Sequence, residues 1–115
     1  MKIIKCPKSG NVMVVLTEKE NVDEKILKAN DVDASFEKHI PQFERENDKV
    51  RIYVDHVMEE DHYIEWLMVD YQDRQIIKEF KPFDKPEIIV DYQDNIEAYS
   101  YCNKHSLWKN KMKGE

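Results

Sequence analysis

Apolar and polar positions along this chain repeat mostly with a period of two. Val50, Ile52 and Val54 alternate with Arg51, Tyr53 and Asp55, the pattern of a strand with one face buried. Val12 to Leu16 is a compact β-branched run, and His62 to Val69 is rich in aromatic and aliphatic residues. Gln75 to Phe80 and Glu87 to Tyr92 follow, separated by a turn segment holding Pro82, Asp84 and Pro86. Ile96 to Tyr101 closes the series, with Asp94-Asn95 as its turn. Short strands at this spacing predict an all-β fold, an antiparallel β-sandwich or barrel. Helix is scarce: Asp23 to Ala29 and Asp33 to Glu37 have room for a turn or two each. The chain contains no internal repeat.

Length and charge narrow this picture. The 115 residues suffice for one domain and hardly for two. Within them, residues 1–30 read as a small N-terminal appendage, while residues 31–115 carry every histidine and most of the strands. No apolar run approaches the ~20 residues that cross a bilayer, so no membrane association is expected. Met1 to Leu16 is broken by Lys2, Lys5, Lys8, Ser9 and Asn11, which leaves no apolar centre for a signal peptide. The expected location is the cytoplasm. The net charge of −6 argues against nucleic acid as a partner, since a phosphate backbone recruits a basic surface. Lys109, Lys111 and Lys113 read as a solvated basic tail. Two cysteines, Cys6 and Cys102, do not build a disulfide framework; a lone thiol in a reducing compartment is buried, reactive or metal-bound.

The candidate chemistry lies in the histidines. All four fall in charged or aromatic segments at predicted strand ends: Glu37-Lys38-His39-Ile40-Pro41, His56 through Trp66 with His62 inside it, and Tyr101-Cys102-Asn103-Lys104-His105. His56 and His62 are spaced to flank a tight loop. Cys102 and His105 form a C-x-x-H pair that can meet one ion from a turn. Four imidazoles and one thiolate exceed a closed zinc tetrahedron, which usually holds more than one thiolate. Imidazoles suit iron, copper, nickel or zinc; a four-nitrogen plane with an axial sulfur favours iron. Five ligands would leave one octahedral position open.

Three stretches carry a resemblance to a known family: Glu-Lys-His-Ile-Pro at 37–41, His-x-Met-x-x-x-His-Tyr-Ile-Glu-Trp at 56–66, and Tyr-Cys-Asn-x-His-x-Leu-Trp at 101–108. In this order they resemble the superoxide reductases, the desulfoferrodoxin and neelaredoxin family, from about Leu27 through Lys109. The resemblance implies an immunoglobulin-like antiparallel β-sandwich with one mononuclear iron (Fe2+/Fe3+). It implies His39, His56, His62 and His105 as equatorial ligands and Cys102 as the axial thiolate. It gives Lys38 the role of attracting superoxide and Glu37 that of binding the ferric iron after turnover. It also implies reduction of superoxide to hydrogen peroxide, a rubredoxin-like electron donor protein and a homo-oligomer, dimer or tetramer. The two glycines cannot build a nucleotide-binding loop, so electrons come from another protein. A second reading keeps the iron but makes the domain a sensor of oxidants or nitric oxide, and a third makes it a structural zinc domain.

The sequence also departs from the family pattern. Val57 replaces the usual proline after His56, removing a fixed φ. Ser106 replaces the usual glycine after His105, a strained choice if φ is positive there. Cys6-Pro7-Lys8-Ser9-Gly10-Asn11 resembles the start of the family's N-terminal four-cysteine iron domain. Ser9 stands at the second cysteine and the later pair is missing. One thiol cannot replace a four-thiolate site. Residues 1–30 are therefore expected to be a reduced, desulforedoxin-like segment of a strand or two with no metal.

Overall fold

The computed structural model describes residues 2–20 and 25–113. Ten strands follow one another: β1 (Lys2–Lys5), β2 (Val12–Val15), β3 (Lys25–Ile26), β4 (Gln42–Glu46), β5 (Lys49–Tyr53), β6 (Ile64–Asp70), β7 (Gln75–Glu79), β8 (Glu87–Asp91), β9 (Glu97–Cys102) and β10 (Ser106–Lys111). They form a four-stranded sheet β10-β9-β6-β7, a three-stranded sheet β4-β5-β8 and a small sheet β2-β1-β3. All pairings are antiparallel. Of the antiparallel sandwich or barrel expected from the alternation, the sandwich is the fold observed.

The alternation of β5 explains the core. Val50 and Ile52 are fully buried and meet Val69 and Ala98 of the facing sheet, with Tyr71 and Ile96 at the ends of its strands. A second cluster, Val54, Ile64, Leu67, Phe80 and Cys102, lies toward the end that carries the histidines. Ile64 and Leu67 share this cluster although they are three apart, which a regular strand forbids. The register shift between Ile64 and Trp66 against β9 supplies the extra residue and restores the inward set.

The outer face of the four-stranded sheet is covered as well. Met68, Tyr99, Tyr101 and Leu107 pack against Ile3, with Val12, Val14, Leu27 and Trp66 around them. Trp66 and Tyr101 stack with ring centroids 5.6 Å apart. Sheet β2-β1-β3 is thus a lid on the strands that lead to Cys102 and His105.

Two expectations fail. No helix occurs among the described residues. Lys25–Ile26 pairs with β1, because an isolated helix of so few residues is unstable without packing; Asp23 lies outside the described residues. Residues 33–37 form bends and the start of a turn. Lys109 and Lys111 are not a solvated tail but part of β10, opposite Tyr99 and Glu97. Lys109 Nζ lies 3.0 Å from Glu97, so its charge is locally balanced.

Candidate metal centre

Five side chains from four stretches of chain converge at one end of the sandwich. His39 sits in a turn closed by the His39 and Ile40 N–H groups donating to the Phe36 carbonyl. His56 lies beyond β5. His62 ends a tight loop in which Glu59 and His62 exchange backbone hydrogen bonds at 2.9 and 3.3 Å. Cys102 is the last residue of β9, and His105 the last before β10. The donor atoms of all five lie within 4.8 Å of one another.

The imidazoles form a closed ring. Successive centroids are 4.7 Å apart for His39–His56, 4.6 Å for His56–His62, 5.1 Å for His62–His105 and 4.9 Å for His39–His105. Cys102 Sγ lies 3.5 Å from His56 Nε2 and 3.8 Å from His105 Nδ1. The tautomers follow from the outward partners. His39 Nδ1–H donates to the Ser35 carbonyl at 2.6 Å, and His56 Nδ1–H donates to the Val57 carbonyl. Each therefore turns an Nε2 lone pair inward. His105 approaches instead through Nδ1, 3.0 Å from His39 Nε2.

Electrostatics agree with this assignment. Burial is the largest cause lowering the basicity of His56, to about 4, and the neighbouring imidazoles lower it further against the Val57 bond. Burial likewise lowers that of His39, partly offset by Ser35. Both rings are neutral at pH 7, the form that binds metal. Burial raises the Cys102 thiol, while backbone N–H groups of Lys104 and His105 favour the thiolate.

One atom is out of balance. His62 Nε2 is buried and has no hydrogen-bond partner. An unsatisfied buried polar nitrogen costs about 1–3 kcal/mol, a large share of a small domain's stability. It lies in the same cluster as the other donors, where a bound metal ion would resolve the deficit. The set holds four nitrogens, one sulfur and no carboxylate, which suits a transition metal rather than magnesium or calcium.

A family profile described as Desulfoferrodoxin matches residues 31–111. The chain belongs to the desulfoferrodoxin family. It is 34% identical to a desulfoferrodoxin homolog of Archaeoglobus fulgidus, over 95% of each chain. It is 33% identical to the desulfoferrodoxin of Desulfarculus baarsii, over 95% of this chain and 94% of that one. The fold matches the crystal structure of the superoxide reductase from Treponema pallidum with a TM-score of 0.72 and 24% identity, covering 96% of this chain and all of that one.

As a desulfoferrodoxin, the chain brings together His39, His56, His62, Cys102 and His105, the five residues singled out by the motifs. Glu37 and Lys38 are exposed in the turn before His39 and are not among the clustered donors. Cys6 is outside the cluster too, in a turn where the Gly10 N–H donates to the Cys6 carbonyl at 2.8 Å.

Several groups that support the donors are not singled out as such by the motifs. The Ser35 carbonyl orients His39, and a backbone group leaves no mark in a sequence. Ser100, fully buried, donates its hydroxyl to the His39 carbonyl. Its signal is a polar residue two positions before Cys102, on the same strand face. Trp108, buried, stacks on His39 at 4.7 Å and donates Nε1–H to the His105 carbonyl at 2.9 Å. It packs and holds two of the five at once.

Proposed function

We propose that the protein is a superoxide reductase with one mononuclear iron held by His39, His56, His62 and His105 and by the Cys102 thiolate. The observation that carries this is the ring of four imidazoles with its one buried, unpartnered nitrogen, closed by a sulfur. Five donors exceed a structural zinc tetrahedron, which weighs against the zinc reading. Ferrous iron bound there supplies the single electron that superoxide must gain to become peroxide.

The chain's own residues do the rest. Lys38 is exposed in the turn that ends at His39, and no ion pair joins it to an acid among the described residues. Its charge is available to attract an anion. Lys104 is less so, with Asp61 at 3.9 Å. With iron bound, Cys102 would donate electron density through its sulfur, and the N–H groups of Lys104 and His105 would moderate that donation. Glu37, exposed beside Lys38, would offer a carboxylate to iron held at the site. Half-buried His56, His62 and His105 leave the site near solvent, where the two protons of the product are supplied. A small redox protein of the rubredoxin type returns the electron. Residues 1–30 act as a reduced desulforedoxin-like segment without metal, residues 31–115 as the iron-binding domain, and the protein works as a homo-oligomer in the cytoplasm.

Pulse radiolysis of the reduced, iron-loaded protein tests the reading. Wild type is expected to react rapidly with superoxide, and Lys38→Ala at least several-fold more slowly. The thiolate-to-iron band of the oxidised protein is expected to vanish in Cys102→Ser. A slow reaction indifferent to Lys38→Ala would leave a sensor in place of an enzyme.

A further inference from the structure

The ladder between β6 and β9 ends at the Ile64↔Cys102 pair, where the chain turns toward His105. One residue beyond, Asn103 takes over with its side chain. Its Oδ1 accepts from the Tyr63 N–H at 3.0 Å. Its Nδ2 donates to the Asp61 carbonyl at 2.9 Å. Its own backbone N–H donates to the Tyr63 carbonyl at 3.2 Å. The amide thus stands in for a peptide unit, one acceptor and one donor, after the regular strand has stopped.

The placement of these bonds matters more than their number. The two side-chain bonds grip residues 61 and 63, on either side of His62. Asn103 itself follows Cys102 and precedes His105 by two. One side chain therefore registers the His62 loop against the turn carrying both Cys102 and His105. The nearby Lys104–Asp61 pair spans 3.9 Å between exposed side chains and contributes little to the same join.

We infer that Asn103 is a positioning residue of the metal site: its amide clamps the His62 loop to the Cys102–His105 turn and so sets the mutual placement of three of the five donors. The inference rests on the reading that these donors hold one metal. It does not depend on what the metal then reacts with. Hydrogen bonds that orient metal ligands are worth roughly ten- to a hundredfold in affinity, far more than their effect on an exposed loop's stability.

The discriminating control is Asn30, which makes the same kind of stitch elsewhere. Its Nδ2 donates to the Lys109 carbonyl at 3.1 Å, and its Oδ1 accepts from the Lys109 N–H at 2.8 Å. It ties the chain to β10 and touches neither ligand loop. Titration of the metal-free protein with Co2+, read at the thiolate-to-cobalt band with a competing chelator, separates the two. Asn103→Ala is expected to lower Co2+ affinity about tenfold and to shift the band, whereas Asn30→Ala leaves both at wild-type values. Equal affinity in Asn103→Ala and wild type, or an equal loss in both variants, overturns the inference. Should Asn103→Ala fail to fold, Asn103→Asp decides. It keeps the acceptor for Tyr63 and removes the donor to Asp61, so affinity falls in spite of the added negative charge; an affinity at or above wild type overturns the inference. A wild-type protein that binds Co2+ tightly but ignores superoxide would refute the proposed enzyme and leave this test intact.

Discussion

Ser106 shows how closely single residues are constrained beside the metal site. It follows His105 with φ of 66°, the left-handed region that glycine enters without cost and other residues do not. The strain is local, and the backbone keeps it because β10 must start at this residue, opposite Cys102. Replacing serine by glycine removes the clash of Cβ with the backbone. Ser106→Gly is expected to raise stability by roughly 1 kcal/mol, measured by urea unfolding of the metal-free protein. A loss of stability would mean that the serine hydroxyl contributes more than the strain costs. Legibility at this scale was uneven. The five donors could be picked out because their residue types are chemically distinctive. The carbonyls of Ser35 and Val57 that fix two tautomers could not, since every residue has a carbonyl and only the turn geometry selects these.

Elements were legible where one face met water. β5 alternates cleanly because Arg51 and Tyr53 face outward from the three-stranded sheet, while β6 is buried on both faces from Leu67 to Val69. The small sheet β2-β1-β3 is the cause of that double burial, and β1 was hidden in a segment that reads as Lys-Ile-Ile-Lys. Its two isoleucines are 2% and 7% exposed, so four residues act as a core strand. Ile3→Ala is expected to cost about 2–5 kcal/mol, the usual range for emptying a buried isoleucine. Ile77, on the exposed edge strand β7 with 52% exposure, is the comparison. Ile77→Ala is expected to stay within about 0.5 kcal/mol. Urea unfolding of both variants checks the pair; a small effect at Ile3 would mean that the N-terminal sheet is merely laid on the sandwich. β4 and β10 were missed for a related reason. Gln42–Glu46 is almost wholly polar, and β10 carries three lysine or asparagine side chains at its end, so neither shows the apolar alternation of a strand.

At the scale of the whole molecule, two charge effects oppose each other. The net charge of −6 repels an anion such as superoxide at long range, while Lys38, in the role proposed for it, would attract it near the site. Salt screens the first as well as the second, so ionic strength reports which dominates. If the local lysine governs encounter, the rate with superoxide falls as salt rises, and this dependence weakens in Lys38→Ala. A rate that rises with salt in wild type would show that overall charge decides.

The sequence by itself determined the class of fold, through its period-two alternation, and singled out the five residues that the fold clusters, through residue types that do distinctive chemistry. It also determined that the N-terminal segment retains too few cysteines for a four-thiolate iron site. Only the tertiary structure decided what those donors do to one another. Residues as far apart as 39 and 105 face each other because two sheets pack and the loops at one end are brought together. That packing chooses which ring nitrogen turns inward, leaves His62 Nε2 without a partner and places an asparagine across two loops. These are relations between distant backbone segments, and no local pattern of side chains encodes them.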